Sequence, residues 1–167
     1  MRLIIKVLAM LTLSLLVFSG CDSSLSSSDN TQKYSTSTRA GSWATETLGN
    51  MTTYVYTPSS YSPVGQGRAL LVVLHGCTQP ISNYKTANLE DAADAYGMVI
   101  AVPDAANKQG FSCWGYWTGT KSRNSSDYKN VLTLVSTLKD RSSLNIDSNQ
   151  VYIAGLSSGG AFAMTLG

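Results

Sequence analysis

Val151-Tyr152-Ile153-Ala154-Gly155-Leu156-Ser157-Ser158-Gly159-Gly160-Ala161 is the stretch that decides how the rest of the chain is read. Val151 to Ala154 is a short apolar run with β-branched and aromatic members, the pattern of a buried strand. Gly155-Leu156-Ser157-Ser158-Gly159 fits G-x-S-x-G, and Ala161 to Leu166 is apolar and compatible with a helix. Strand, tight turn and helix in that order give the five-residue motif its chemical meaning. Such a turn holds its serine in a strained backbone conformation, so glycines flank it where a Cβ would clash. The hydroxyl of Ser157 then stands at the carboxyl edge of a sheet. Beside it, the free N–H groups of a helix N-terminus can stabilise an oxyanion. Ser and Gly are abundant in this chain, so the bare motif is weak evidence; the flanking segments give it weight.

The stretch reads as the nucleophile elbow of an α/β-hydrolase, with Ser157 as the nucleophile. The whole chain is consistent with that scale: 167 residues, 43% hydrophobic and 13% charged, allow one ordinary globular domain with a core. A net charge of +2 without a Lys/Arg cluster gives no electrostatic case for nucleic acid. Three cysteines (Cys21, Cys77 and Cys113) and a single histidine, His75, show no metal-ligand spacing, so neither a zinc site nor another cofactor is expected.

Residues 1–20 read as a signal peptide. Arg2 and Lys6 supply the positive start, and Val7 to Phe18 is an apolar run too short for a comfortable membrane span. Phe18-Ser19-Gly20-Cys21 resembles the lipobox of bacterial lipoproteins, in which the cysteine is lipidated and becomes the mature N-terminus. An ordinary secretory cleavage, with Cys21 an incidental thiol, is the alternative. Several acyl chains on Cys21 would anchor the protein firmly, at about 0.8 kcal/mol per buried methylene. Residues 21–42 are rich in Ser, Thr, Asp and Asn, and cannot bury enough surface to offset their ordering entropy; they read as a tether. The expected location is therefore across the inner membrane, lipid-anchored to the envelope or extracellular.

Residues 43–167 read as the folded part. Ala44 to Leu48 and Met51 to Thr57 flank Gly49-Asn50, a hairpin pattern. Ala69 to Leu74 is a continuous apolar strand fit for a sheet centre, and it runs into His75-Gly76-Cys77-Thr78-Gln79. Asn83 to Tyr96 reads as one helix ending at Gly97, followed by a buried strand from Met98 to Val102. A loop rich in Gly and aromatics holds Trp114, Tyr116 and Trp117, and a helix starts near Asp127 with Val131, Leu134, Val135 and Leu138 inside. Alternating strands and helices predict an α/β fold with a mostly parallel sheet.

In α/β-hydrolases one oxyanion donor is the N–H after the nucleophile, here Ser158. The other comes from the loop after an early strand, here Cys77. Leu74-His75-Gly76-Cys77-Thr78-Gln79, Cys113-Trp114 and Ile146-Asp147 leading into Val151 to Gly160 together resemble the poly(3-hydroxybutyrate) depolymerase family of esterases, related to feruloyl and acetyl xylan esterases. The resemblance covers roughly Trp43 to the C-terminus. It implies Ser157 as nucleophile, the amides of Cys77 and Ser158 as the oxyanion hole, and a structural rather than catalytic His75.

The triad order on this fold is Ser, then Asp or Glu, then His. Nothing acidic and no histidine follows Ser157, so the sequence is expected to be the N-terminal part of the catalytic domain and inactive alone. The expected substrate is a polyester such as poly(3-hydroxybutyrate); a feruloyl or acetyl xylan ester is the enzymatic alternative. A non-catalytic surface lipoprotein binding a polymer through Trp114, Tyr116 and Trp117 is the alternative of another class. Trp114 and Trp117 are candidate substrate contacts, with loop packing as the plainer reading. With Cys21 lipidated, two cysteines remain in an oxidising compartment. An even count favours a Cys77–Cys113 disulfide over two buried thiols.

Overall fold

The computed structural model describes residues 41–166. The signal peptide, Cys21 and nearly all of the tether lie outside the described residues. The fold is built on one sheet of five strands in the order β1-β2-β4-β3-β5. β1 (Ser42–Leu48) and β2 (Met51–Thr57) form an antiparallel hairpin with Leu48 opposite Met51. Gly49 and Asn50 both take positive φ, 55° and 61°, the conformation of a hairpin turn whose twist matches its strands. Gly49 is required twice over, because a Cβ there would strike the carbonyl of Asn130.

β3 (Arg68–Leu74) runs Arg-Ala-Leu-Leu-Val-Val-Leu and is buried at every position except the half-buried Leu71. Such a continuous apolar run suits a strand covered on both faces. It pairs in parallel with β4 (Met98–Pro103) on one side and β5 (Ile146–Gly155) on the other. Alternate residues of β3 serve opposite faces. Leu70, Val72 and Leu74 join Val99, Ala101, Val131, Leu134, Leu138 and Phe162, while Val73 joins Tyr56, Ile81, Ala93, Ile100 and Val102. Each fully buried Leu or Val here contributes roughly 1.5–3 kcal/mol.

Between β3 and β4 lie a 3-10 helix (Ile81–Thr86) and α1 (Leu89–Tyr96), not the single helix expected from Asn83. Asn88 breaks it, with φ 55°; a left-handed residue cannot continue a right-handed helix, and Asn tolerates that region best among non-glycines. Gly97 ends α1 as expected, with φ 60° and its N–H donated to Ala93 O. α2 (Ser126–Lys139) links β4 to β5, and α3 (Ser158–Leu166) follows β5. A half-exposed bidentate pair between Arg141 and Glu46 (3.0 and 2.6 Å) ties the end of α2 to the hairpin, worth under about 1 kcal/mol.

The sheet is mixed: β4, β3 and β5 run parallel, and the hairpin joins antiparallel through β2. β5 is longer than the apolar run Val151 to Ala154. It starts at Ile146, with a register shift opposite Arg68 to Leu70. Asp147 fastens that polar beginning, its carboxylate accepting the N–H of Asn149 (2.8 Å) and of Gln66 (2.9 Å) and the Gln150 side-chain amide (3.3 Å). These bonds, Asn149 first, hold its pKa below the usual carboxylate range. β5 forms one edge of the sheet, and Tyr152, Leu156 and Met164 near that edge are 50%, 54% and 86% exposed.

One topological feature positions the site. After β3 the chain packs its next helices on one face, yet after the neighbouring β5 it packs α3 on the other. Adjacent parallel strands whose connections leave to opposite faces open a crevice at their carboxyl ends. Cys77 follows β3 and Ser157 follows β5, so both lie at that crevice.

Candidate active site

Ser157 is the second of two residues, after Leu156, between the last residue of β5 and the first of α3, and has φ 52°. A left-handed non-glycine costs about 1–3 kcal/mol and persists only where its surroundings impose it. The packing imposes it here. A Cβ on Gly155 would strike the backbone of Gly159, and one on Gly159 would strike the carbonyl oxygens of Leu74 and His75. The turn is thus pressed against the end of β3. Leu156 N–H donates to Leu74 O (3.0 Å), Gly159 N–H to Leu156 O (2.9 Å) and Ala161 N–H to Ser157 O (3.0 Å). The N–H of Ser158, first in α3, has no partner among the described residues, as expected of a helix N-terminus.

The turn after β3 shows the same selectivity. Gly76 N–H donates to Gln79 Oε1 (2.9 Å), Thr78 N–H to Phe111 O (2.8 Å) and Gln79 N–H to Gly76 O (3.3 Å). Cys77 N–H alone of these four has no hydrogen bond among the described residues. Cys77, Cys113, Tyr116, Trp117, Ser157 and Ser158 line one cavity of about 470 Å³. Two unpaired N–H groups and a serine hydroxyl around one concavity are the parts an acyl-transfer site needs for its tetrahedral intermediate.

Cys77 and Cys113 are joined by a disulfide with Cα atoms 4.1 Å apart, closing 36 residues of sequence separation. It fastens the oxyanion loop to the aromatic loop. Thr78 and Ser112, one residue from each cysteine, both sit at φ 60°, and Thr78 N–H reaches back to Phe111 O across the same junction.

His75 is fully buried and both its nitrogens are occupied. Nε2 accepts the N–H of Ala105 (3.2 Å), so the proton sits on Nδ1, which donates to Gly76 O (2.7 Å). Asp104 Oδ1 lies 3.4 Å from Nε2 and its other oxygen binds Lys108 at 2.8 Å. The imidazole therefore supports the loop from inside and presents no free nitrogen to Ser157.

Trp114 corrects an expectation. It is fully buried, with its ring 5.4 Å from that of His75 and 5.0 Å from that of Phe162, and so cannot touch a substrate. Its backbone N–H donates to Ser158 Oγ at 3.4 Å, so it packs the aromatic loop onto the elbow. Trp117 is 48% exposed, stands edge-on to Tyr116 at 4.7 Å, and lines the cavity with it. Tyr116 entered the sequence reading only within an aromatic cluster; its place on the cavity wall depends on the loop's path, for which no local signal exists. Asp127 is a buried brace missed by the sequence reading. Its carboxylate accepts from Asn107 N–H, the Asn107 amide and the Asn130 amide, each at 2.9 Å. Among the described residues no group of three or more His, Cys, Asp or Glu could hold a metal ion.

A serine on a strained strand-to-helix turn, at the carboxyl edge of a sheet with helices on both faces, defines the α/β-hydrolase fold. Within it the chain belongs to the esterase PHB depolymerase family, whose model matches residues 54–167. It is 41% identical over 136 residues to a poly(3-hydroxybutyrate) depolymerase of Ralstonia pickettii, covering 75% of this chain and 28% of that protein. It is 35% identical over 111 residues to a bifunctional acetylxylan esterase/xylanase of Neocallimastix patriciarum, covering 65% of this chain and 14% of that one. An acetyl xylan esterase from Aspergillus awamori has a similar structure, with TM-score 0.59 and 20% identity over 75% of this chain and 47% of that chain. The chain thus spans under a third of the length of either curated relative.

Proposed function

We propose that this chain carries the nucleophile and the oxyanion hole of a secreted serine esterase that cleaves the ester bonds of a polyester such as poly(3-hydroxybutyrate). The observation that carries the reading is the strained Ser157 sharing one cavity with the unpaired amides of Cys77 and Ser158. Ser157 Oγ attacks the acyl carbonyl carbon, the carbonyl oxygen takes the negative charge, and the two N–H groups bind it. Collapse expels the alcohol and leaves an acyl-enzyme on Ser157, which water then hydrolyses. Each oxyanion donor is worth about 3 kcal/mol of transition-state stabilisation.

The reaction also needs a base for the Ser157 proton, and His75, the one histidine of these 167 residues, is committed to backbone partners. The catalytic imidazole and its acid therefore belong, in this reading, to parts of the protein outside this sequence. Trp117 and Tyr116 form an apolar wall on which an acyl chain can lie. In the full-length protein, Ser157→Ala should lower hydrolysis of p-nitrophenyl butyrate by about 10³-fold or more; unchanged turnover would sink the nucleophile assignment and favour a binding protein.

A second enzymatic reading, an acetyl xylan esterase, is favoured by the likeness to two proteins of that name. Release of acetate from acetylated xylan, with no 3-hydroxybutyrate from the polyester, would select it. Secretion and a lipid on Cys21 complete the proposal, on the strength of the apolar run and the Ser19-Gly20-Cys21 junction.

A further inference from the structure

Gly76 is held at both ends by one residue. Its N–H donates to Gln79 Oε1 at 2.9 Å, and its carbonyl accepts the N–H of Gln79 at 3.3 Å. Tyr84 supports that side chain by donating its hydroxyl to the same Oε1 at 3.2 Å. Glycine is what lets Gln79 reach so far in, since a Cβ on Gly76 would come within 2.9 Å of Oε1. The Gly76 carbonyl belongs to the same planar trans peptide as the N–H of Cys77, so the two point in opposite directions. Whatever fixes the carbonyl fixes the N–H.

We propose that Gln79 is a positioning residue for the oxyanion hole: by clamping Gly76 it keeps the N–H of Cys77 turned toward the cavity that holds Ser157. His75 binds the same carbonyl at 2.7 Å from inside the fold, the backbone N–H of Gln79 binds it from the loop, and the Gln79 side chain holds the N–H on the other side of Gly76. Two donors on one carbonyl also polarise the peptide, which strengthens its N–H as a donor. Without the Gln79 side chain the Gly76 N–H would lose that acceptor; the His75–Gly76 peptide would turn to find another, and through the two torsions of Gly76 the Gly76–Cys77 peptide would shift with it. The proposal rests on the reading of Ser157 and Cys77 given above.

The test uses the full-length protein, p-nitrophenyl butyrate as substrate and phenylboronic acid as probe, because boron forms a tetrahedral anionic adduct with a nucleophilic serine. Gln79→Met keeps the length and loses the acceptor. It should lower kcat about 10- to 100-fold, leave KM within about twofold, and weaken the boronic acid by the same factor as kcat. Gln79→Glu keeps an acceptor oxygen and should recover most of the loss. Tyr84→Phe, a milder change, should lower kcat about threefold at constant KM. The proposal is overturned if Gln79→Met keeps wild-type kcat and boronate affinity. It is equally overturned if Met and Glu variants lose activity alike with a matching fall in Tm, or if Gln79→Met fails to fold and Tyr84→Phe leaves kcat unchanged. Ser157→Ala separates the two levels: full activity in that variant overturns the site itself, not only the role of Gln79.

Discussion

His75 gives its Nδ1 proton to the carbonyl oxygen of Gly76 at 2.7 Å while its Nε2 takes the N–H of Ala105 at 3.2 Å. One ring thus bridges the oxyanion loop and the end of β4, and its position in the sequence next to the loop is no sign of proton transfer. His75→Asn preserves a donor near the Nδ1 position. In the full-length protein the acid limb of the kcat/KM profile should keep its midpoint within about 0.3 pH, because the titrating base is another group. Disappearance of that limb in the variant would make His75 the base.

The Cys77–Cys113 disulfide joins the two loops that line the cavity, across 36 residues of sequence. In the chain-entropy model a loop of that length is worth about 4 kcal/mol. Cys77→Ala/Cys113→Ala in the full-length protein should lose that order of stability in urea unfolding without reductant, and reductant should then have no further effect. Equal urea midpoints for variant and wild type would reject the structural role of the bridge.

Tyr56 donates its hydroxyl to Asp94 Oδ2 at 2.8 Å, and burial, that bond and the nearby carboxylates push its pKa up to about 12. The folded state holds this proton more tightly than the unfolded chain, whose tyrosines titrate near 10. The contribution to stability is complete below about pH 10 and is lost as pH rises toward 12. Thermal melts between those values should fall more steeply with pH for wild type than for Tyr56→Phe. Parallel slopes would mean that the hydroxyl titrates normally.

In the proposed lipoprotein reading, Cys21 is the residue that retains the enzyme at the membrane. If that reading holds, Cys21→Ser should move the protein from the membrane fraction to the soluble fraction of the producing cell, since it removes the thiol proposed to carry the acyl chains. A mature N-terminus without lipid by mass spectrometry would leave secretion and remove the anchor.

The readable parts of this chain were those whose chemistry is local. The elbow announced itself because Gly155, Ser157 and Gly159 meet a steric demand within five residues, and the hairpin because Gly49-Asn50 adopts left-handed backbone. β3 was legible as a central strand because Ala69 to Leu74 is apolar throughout. Asn88 was not legible as a break, since nothing around it interrupts the helical composition of Asn83 to Tyr96. Trp114 and Trp117 look alike in sequence. Only tertiary packing against His75 and Phe162 makes one a core residue and leaves the other on the cavity. The clamp on Gly76 was equally hidden: Gln79 was part of a recognised motif, yet its side-chain bond to Gly76 appears only once the turn is folded.

The central claim is a covalent acyl-enzyme on Ser157. The most direct measurement is rapid acid quench of the full-length protein during turnover of p-nitrophenyl butyrate, followed by digestion and mass spectrometry of the peptide containing Ser157. The account predicts one butyryl group on Ser157, formed in a burst and chased away by water, and absent from Ser157→Ala. Steady hydrolysis with an unmodified Ser157 peptide, or with the acyl group on another residue, would contradict it.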